Sequence, residues 1–417
     1  MRDSGIPWIG EIPQGWKTDL VSKYFYEVCN RNNSLTERNL LSLSYGNIIK
    51  KDIDTTEGLL PASFEGYNII EKDDIVFRFT DLQNDKKSLR TGLCRENRGI
   101  ITSAYTTIRR RNDVLNAAYF HYLFHSYDIC KVYYGIGAGV RQSMNYNDLR
   151  KLVIVFPPLS EQKAIANFLD GKCAEIDEAV AVQEQMIDEL RAYKQSVITE
   201  AVTHGLNSNV PMRDSGIPWI GQIPQEWKVM RGKNVLVLMQ RQVRKDDEVI
   251  TCFRDGEVIL RKLRRMDGFT LSDKEIGYQG INVGDVVIHG MDGFAGAIGV
   301  AKSKGKASPV YVVCTTKNDN NAQYIVYYLR SLAFNNVFTA LSTGIRERSC
   351  DLKWNKISVL DFILPNVDEQ QKIVEYIDRK CTEIDELIAI KQQKIEALKE
   401  YKKSIIYEYV TGKKDVM

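Results

Sequence analysis

From Leu169 onward the apolar residues step four and three apart: Leu169, Cys173, Ile176, Val180, Ile187, Leu190, Val197 and Ala201. The same steps return at Ile377, Cys381, Ile384, Ile388, Ile395, Leu398 and Ile405, ending at Tyr409. Apolar positions held at this period over more than four heptads form the a/d seam of a coiled coil. Polar residues interrupt the two seams at matching places, Gln183 with Lys391 and Lys194 with Lys402. Those lysines either lie along the seam edge with their ammonium groups in water or fix register and partner choice between two helices. Each seam follows a helix-start signal. "LPNVDEQ" offers Pro365, an Asp368 cap and Glu369 in the first turn, and "PPLSEQ" offers Ser160 and Glu161. A helix from Ser160 to Val202 is roughly 65 Å long at 1.5 Å per residue. Two such helices in one chain are expected to pack on each other; if they run antiparallel, a globular part stands at each end and the pair has pseudo-two-fold symmetry.

The segments between are patterned differently. Residues 18–154 and 229–362 alternate short β-branched or aromatic runs ("DDIVFRF", "GDVVIHG", "YVVCTT") with turn signals, and so predict strands. "NAAYFHYLFHS" and "NAQYIVYYLRS" predict amphipathic helices. The expected class is α+β: two tandem mixed domains and two long helices, arranged as a pseudo-two-fold duplication. The expected segments are 1–154 and 207–362 for the globular domains with their opening boxes, and 155–206 and 363–417 for the long helices.

The duplication runs through the whole chain. "MRDSGIPWIGEIPQGWK" opens it, and "MRDSGIPWIGQIPQEWK" begins at position 212 with 15 of 17 residues identical. At the same offset of 211, "GYNIIEKDDIVFRFTD" (66–81) meets "GYQGINVGDVVIHGMD" (277–292), with Gly66/Gly277, Tyr67/Tyr278, Asp74/Asp285 and Asp81/Asp292 in register. "GVRQS" (139–143) echoes "GIRER" (344–348). The helices match at an offset of 208. The frame is repeated closely and the segments inside it diverge, as befits two versions of one task.

Charge neither announces nor excludes a nucleic-acid partner, since 57 basic and 54 acidic residues leave a net charge of +3. Any basic surface must come from clustering. Arg78, Lys86, Lys87 and Arg90 lie in one polar loop with Asp81, Gln83 and Asn84, and Arg261, Lys262, Arg264 and Arg265 form a second cluster. Arg109, Arg110 and Arg111 make a third. Arg and Lys suit phosphate contacts, and Arg, Lys, Asn, Gln and Asp suit base edges. The eight cysteines show no C-x-x-C spacing, so neither a zinc site nor a disulfide framework is expected. No apolar leader or 18-residue apolar run is present, and a reducing, cytoplasmic setting is the expectation.

Catalytic motifs are missing. "GIGAG" (135–139) lacks a clean strand-to-helix entry, and His121 and His125 stand four apart on a helix without a third ligand nearby. There is no Asp- or Asn-Pro-Pro-aromatic sequence and no credible Ser/His/Asp set. The chain is expected to be no enzyme and to carry no metal or cofactor.

The two opening boxes, the helix starts "PPLSEQKAIANFLD" and "PNVDEQQKIVEYID", and the Gly-x-Arg turns at 139–141 and 344–346 resemble the specificity subunits of type I restriction–modification systems. The resemblance spans both halves of the duplication. It implies that each globular domain is a target recognition domain for one half of a split double-stranded DNA sequence, and that the coiled coil sets the spacer. It also implies docking of two methyltransferase subunits, which bring S-adenosylmethionine and catalysis, and of restriction subunits using ATP and Mg. On this reading Arg78, Asp81, Gln83, Asn84, Lys86, Lys87, Arg90 and Arg141 contact DNA from the first domain. Arg261, Lys262, Arg264, Arg265, His289, Asp292 and Arg346 do so from the second. Arg141 and Arg346 could instead pin each domain to its helix. The competing reading is a non-enzymatic coiled-coil scaffold with two protein-binding heads.

Overall fold

The computed structural model describes residues 1–54, 63–84, 89–136, 143–264, 275–340 and 351–416, and in it the repeated sequence is a repeated structure. The chain divides into two compact units, Met1–Glu184 with Gln393–Met417, and Gln185–Gln392. Both are α+β. The first unit holds a four-stranded antiparallel sheet in the order Phe25–Glu27, Thr106–Arg110, Ile75–Phe77, Thr91–Leu93. The second holds its counterpart in the order Leu236–Leu238, Tyr311–Thr316, Val286–His289, Ile298–Val300. Two-stranded pairings match as well, among them the hairpins Leu41–Ser44/Asn47–Lys50 and Ile250–Cys252/Val258–Leu260. The strands form where β-branched and aromatic residues bounded by turn residues foretold them.

A helix covers each sheet, Ala117–Ile129 in the first unit and Ala322–Phe334 in the second. Each starts at an asparagine whose side-chain oxygen accepts from the backbone three residues on: Asn116 from the Tyr119 N–H at 2.9 Å, and Asn321 from the Tyr324 N–H at 3.1 Å. That cap satisfies one of the orphan donors of a helix start.

The opening box explains why it is written twice. Asp3 Oδ1 accepts from the Gly5 N–H and Asp214 Oδ1 from the Gly216 N–H, both at 3.0 Å. Gly5 and Gly216 sit at φ +71° and +72°, a conformation that favours glycine. The turn tucks Ile6, Ile9 and Ile12 into the first core, and Ile217 and Ile223 into the second. Trp16 then reaches the long helix: its Nε1–H donates to Glu161 Oε2 at 2.7 Å, and Trp227 donates likewise to Glu369 Oε1 at 3.1 Å. The next residue of each "EQ" pair is buried. Gln162 accepts from the Asn116 N–H at 2.9 Å and donates to the Pro157 carbonyl at 2.9 Å. Gln370 accepts from the Asn321 N–H at 2.9 Å and donates to the Pro365 carbonyl at 3.1 Å. One dipeptide thus ties the box and the sheet-covering helix to the long helix.

The first long helix runs Leu159–His204 and the second Val367–Val410. Ser160 and Asp368, expected as caps, lie inside the first turns. The second helix is capped instead by Asn366, whose Oδ1 accepts from the Glu369 N–H at 2.9 Å, because the helix starts two residues earlier than a cap at Asp368 would place it. Within each unit a stretch of one helix packs antiparallel on a stretch of the other. In the first, Phe168 meets Tyr409 with ring centroids 4.5 Å apart, and the Lys402 ammonium donates to both oxygens of Asp177 at 2.7 Å. In the second, Lys194 does the same to Asp385 at 2.7 Å. The seam residues Leu169, Ile176, Ile187, Val197, Ile377, Ile384, Ile395 and Ile405 are buried; Val180, Leu190, Ile388 and Leu398 are half-buried. The matched seam lysines Lys194 and Lys402 therefore pair across the helices with aspartates that are themselves matched in the repeat, while Lys391 donates to Met186 Sδ at 3.2 Å. Both pairs face solvent, so Lys402→Ala is expected to cost at most about 1 kcal/mol. A double-mutant cycle with Asp177→Ala checks this.

Each long helix ends on a box. Gly412, at φ +70°, lies where an added Cβ would stand 3.2 Å from the Trp16 ring, and Gly205, at φ +78°, 3.1 Å from that of Trp227. Lys413 Nζ also donates to the Glu11 carbonyl at 2.6 Å, so the last helix closes on the beginning of the chain.

Candidate nucleic-acid interface

The repeated aspartates divide into two kinds. Asp74 and Asp285 are buried, 0% and 2% exposed. Asp74 accepts from Arg109 Nε at 2.7 Å and Nη2 at 2.8 Å, and from the Glu71 N–H at 2.8 Å. Asp285 accepts from both Nη atoms of Arg241 and, at 2.7 Å, from the Asn282 N–H. Those bonds fasten the turn before the central strand and push the Arg109 guanidinium above its ordinary pKa. The arginine triplet is likewise committed to the protein. Arg109 also pairs with Glu71 at 2.8 Å, Arg110 donates to the Leu115 carbonyl at 2.7 Å, and Arg111 lies 5.6 Å over the Tyr26 ring.

Asp81 and Asp292, by contrast, stand half-exposed just past the ends of matching strands. Asp81 adopts φ +58°, and its Oδ1 accepts from Asn84 Nδ2 at 2.8 Å. Gln83 and Asn84 are exposed. Arg78 is half-buried at the base of this loop, its backbone N–H on the Arg90 carbonyl at 2.9 Å. Arg90 itself is a correction. It is 0% exposed and cannot reach a phosphate. Its Nη1 donates to the carbonyls of Arg78 at 3.1 Å and Thr80 at 2.8 Å, Nη2 to that of Asp81 at 3.3 Å, and Nε to the Tyr134 hydroxyl at 3.1 Å. A guanidinium that gathers three loop carbonyls shapes the loop from beneath.

In the second unit Asp292 Oδ1 accepts from Arg254 Nη2 at 2.8 Å, the Arg254 side chain being 68% exposed. Arg254 sits in the turn of the hairpin Ile250–Cys252/Val258–Leu260, and the sequence pattern gave it no prominence. His289 Nδ1 accepts from the Asp292 N–H at 3.0 Å, the ring lies edge-on to Tyr311, and burial lowers its pKa. Arg264 stacks 4.3 Å from the Phe253 ring centre and pairs with Asp255 at 2.6 Å and Glu257 at 3.1 Å. Lys262 pairs with Glu248 at 2.7 Å, and Arg261 donates to Thr251 Oγ1 at 3.0 Å. Lys86, Lys87, Arg141, Arg265 and Arg346 lie outside the described residues, as do the Gly-x-Arg turns.

The two histidines four apart line a cavity of about 740 Å³ in the first unit, with Tyr45, Arg95, Cys173, Lys402 and Lys403 among its other walls. Burial, with Arg95, Lys402 and Lys403 nearby, lowers His121 to about 3 and His125 to about 4. An unfolded histidine titrates near 6.5, so between pH 6.5 and 4 the unfolded chain binds more protons and stability falls as pH falls. A loss of about 2 kcal/mol from each histidine, roughly 4 kcal/mol for the pair, is expected between pH 7 and pH 5, before carboxylates titrate. Unfolding midpoints of the full chain at the two pH values check it, and His121→Val with His125→Gln should flatten the difference.

Among the described residues no group of three or more His, Cys, Asp and Glu could hold a metal ion, and no helix is long and apolar enough to cross a membrane. The chain is thus a duplicated α+β unit with a long helix to each copy, carrying different polar loops beside the same strands. Residues 22–183 match the family described as type I restriction modification DNA specificity domain. The chain is similar to specificity subunits of type I restriction–modification systems. It is 24% identical to the MjaVIII specificity subunit of Methanocaldococcus jannaschii, over 76% of this chain and 74% of that one. It is 22% identical to the EcoBI specificity subunit of Escherichia coli, over 76% and 68%. Its fold matches the HsdS subunit of Thermoanaerobacter tengcongensis with TM-score 0.51 at 14% identity, over 96% of this chain and 98% of that one. A chain from a study of complex assembly and conformational transition of the type I R-M system matches with TM-score 0.67, also at 14% identity and over 96% and 98%.

Proposed function

We propose that this chain chooses the DNA sequence for a type I restriction–modification complex, each unit reading one half of a split double-stranded target. The recognition domains are residues 1–154 and 207–362. The helices of 155–206 and 363–417 set the spacer and dock two methyltransferase subunits, and restriction subunits join that core. This chain contributes no catalytic group; S-adenosylmethionine, ATP and Mg act in the partner subunits. One observation carries the reading: the frame is repeated bond for bond, from the Trp–Glu contact to the Lys–Asp pairs, while the loops beside the matching strands carry different donors. A homodimer of identical units would read a palindrome, and diverged units in one chain read two unlike half-sites. Phosphate contacts by Arg and Lys would make affinity fall steeply with salt.

The test is co-expression with the cognate methyltransferase subunit, followed by mapping of N6-methyladenine across the host genome. The expected result is two short specific blocks around a fixed unspecific gap, and replacement of residues 229–362 by another recognition segment should change one block only. A complex that assembles yet adds no methylation at a split motif would overturn the proposal.

A further inference from the structure

We propose that Asn84 and Arg254 are base-reading side chains of the two units, and that the repeated Asp81 and Asp292 are positioning residues that aim them. The inference rests on the reading of this chain as a DNA-specificity subunit and assigns the base that each unit reads at one position.

The two aspartates occupy the same place in the repeat, just past the equivalent strands Ile75–Phe77 and Val286–His289. Each uses Oδ1 to take one N–H of an exposed polar side chain, and each does so at 2.8 Å. The occupant differs. In the first unit it is an amide three residues along the loop. In the second it is a guanidinium brought from a hairpin turn. The holder is repeated and the held group diverges, as a device for reading different bases with one frame requires.

The chemistry of each held group follows from what the aspartate leaves free. Asn84 spends one N–H on Asp81 and keeps its carbonyl oxygen and second N–H, an acceptor beside a donor. That pair complements the N6 donor and N7 acceptor of adenine in the major groove. Arg254 spends one N–H on Asp292 and keeps a planar set of donors only. That fork complements O6 and N7 of guanine. A carboxylate facing DNA unpaired would be repelled by phosphates. Bonded to a donor it neutralises part of that charge and limits the rotamers of a long side chain before binding.

The experiment uses the full chain assembled with its methyltransferase subunit, and reads the base preference at every position from the methylated sites of a randomised duplex library. Asn84→Ala is expected to relax one A·T pair in one half-site, and Arg254→Ala one G·C pair in the other. Discrimination at that pair should fall roughly 5- to 150-fold, with the other positions unmoved. Arg254→Lys, which keeps the charge and loses the fork, should relax the same pair. Asp292→Asn should relax it too, and add nothing when combined with Arg254→Ala. Variants that keep every base preference, or that slow methylation equally for all sequences, would overturn the assignment while leaving the specificity reading intact. A wild-type complex that methylates with no sequence preference would overturn both.

Discussion

Replacing Trp16 by alanine is expected to destabilise the chain by about 3–5 kcal/mol. The side chain is 3% exposed and packs edge-on to Tyr119 with ring centroids 6.4 Å apart. It also covers the glycine that ends the second long helix, so its removal opens a cavity at a junction of three elements. The indole N–H bond to Glu161 is a smaller contribution. Trp16→Phe keeps most of the volume and loses the bond, and should cost about 1.5–3 kcal/mol, the range for a hydrogen bond to a charged group. Trp227→Ala should cost about as much, since Trp227 is equally buried, stands against Gly205 as Trp16 does against Gly412, and makes the same bond in the second unit. Domains of this size hold only about 5–15 kcal/mol in all, so either alanine variant should unfold at markedly lower urea concentration. Equal midpoints for Trp16→Ala and Trp16→Phe would show that the bond, and not the packing, secures the box.

Much of this frame was legible in the sequence because periods and repeats are local signals. The four-and-three spacing placed both long helices. Asn116 and Asn321 stood at the starts of the two sheet-covering helices, and runs such as "DDIVFRF" and "GDVVIHG" became central strands. Partners distant in the chain were not legible. Glu161 and Trp16 are 145 residues apart, and nothing near either marks the other. Arg90 illustrates the same limit more sharply. In a loop rich in Lys, Asn and Asp it has the composition of a phosphate contact. Its burial depends on Asp128, whose carboxylate takes the Arg90 N–H at 2.7 Å, and on Tyr134. Composition reports which groups are available and not which way a guanidinium turns. Arg254 was overlooked for the converse reason, since it stands outside any basic run and gains its place only through Asp292.

The buried Asp–Arg pairs give the other large effect, and the two units should respond unequally. Asp285→Ala leaves the Arg241 guanidinium, 23% exposed, without its carboxylate and leaves the Asn282 N–H without an acceptor. Breaking one side of a buried pair costs about 3–5 kcal/mol, largely from the uncompensated charge. Asp74→Ala strips the same contacts from the first unit, but Arg109 keeps Glu71 at 2.8 Å. Its loss should therefore be smaller, and Asp74→Ala with Glu71→Ala should raise it toward the Asp285 value. Removing both charges in the second unit, Asp285→Leu with Arg241→Met, should recover much of the loss, because no charge then remains to be desolvated. Urea unfolding of these variants separates the two possible roles of the repeated aspartate. Recovery in the double variant means that the pair chiefly avoids a buried charge. A double variant as unstable as Asp285→Ala alone means that the carboxylate's hold on the turn before the central strand is what stabilises the sheet.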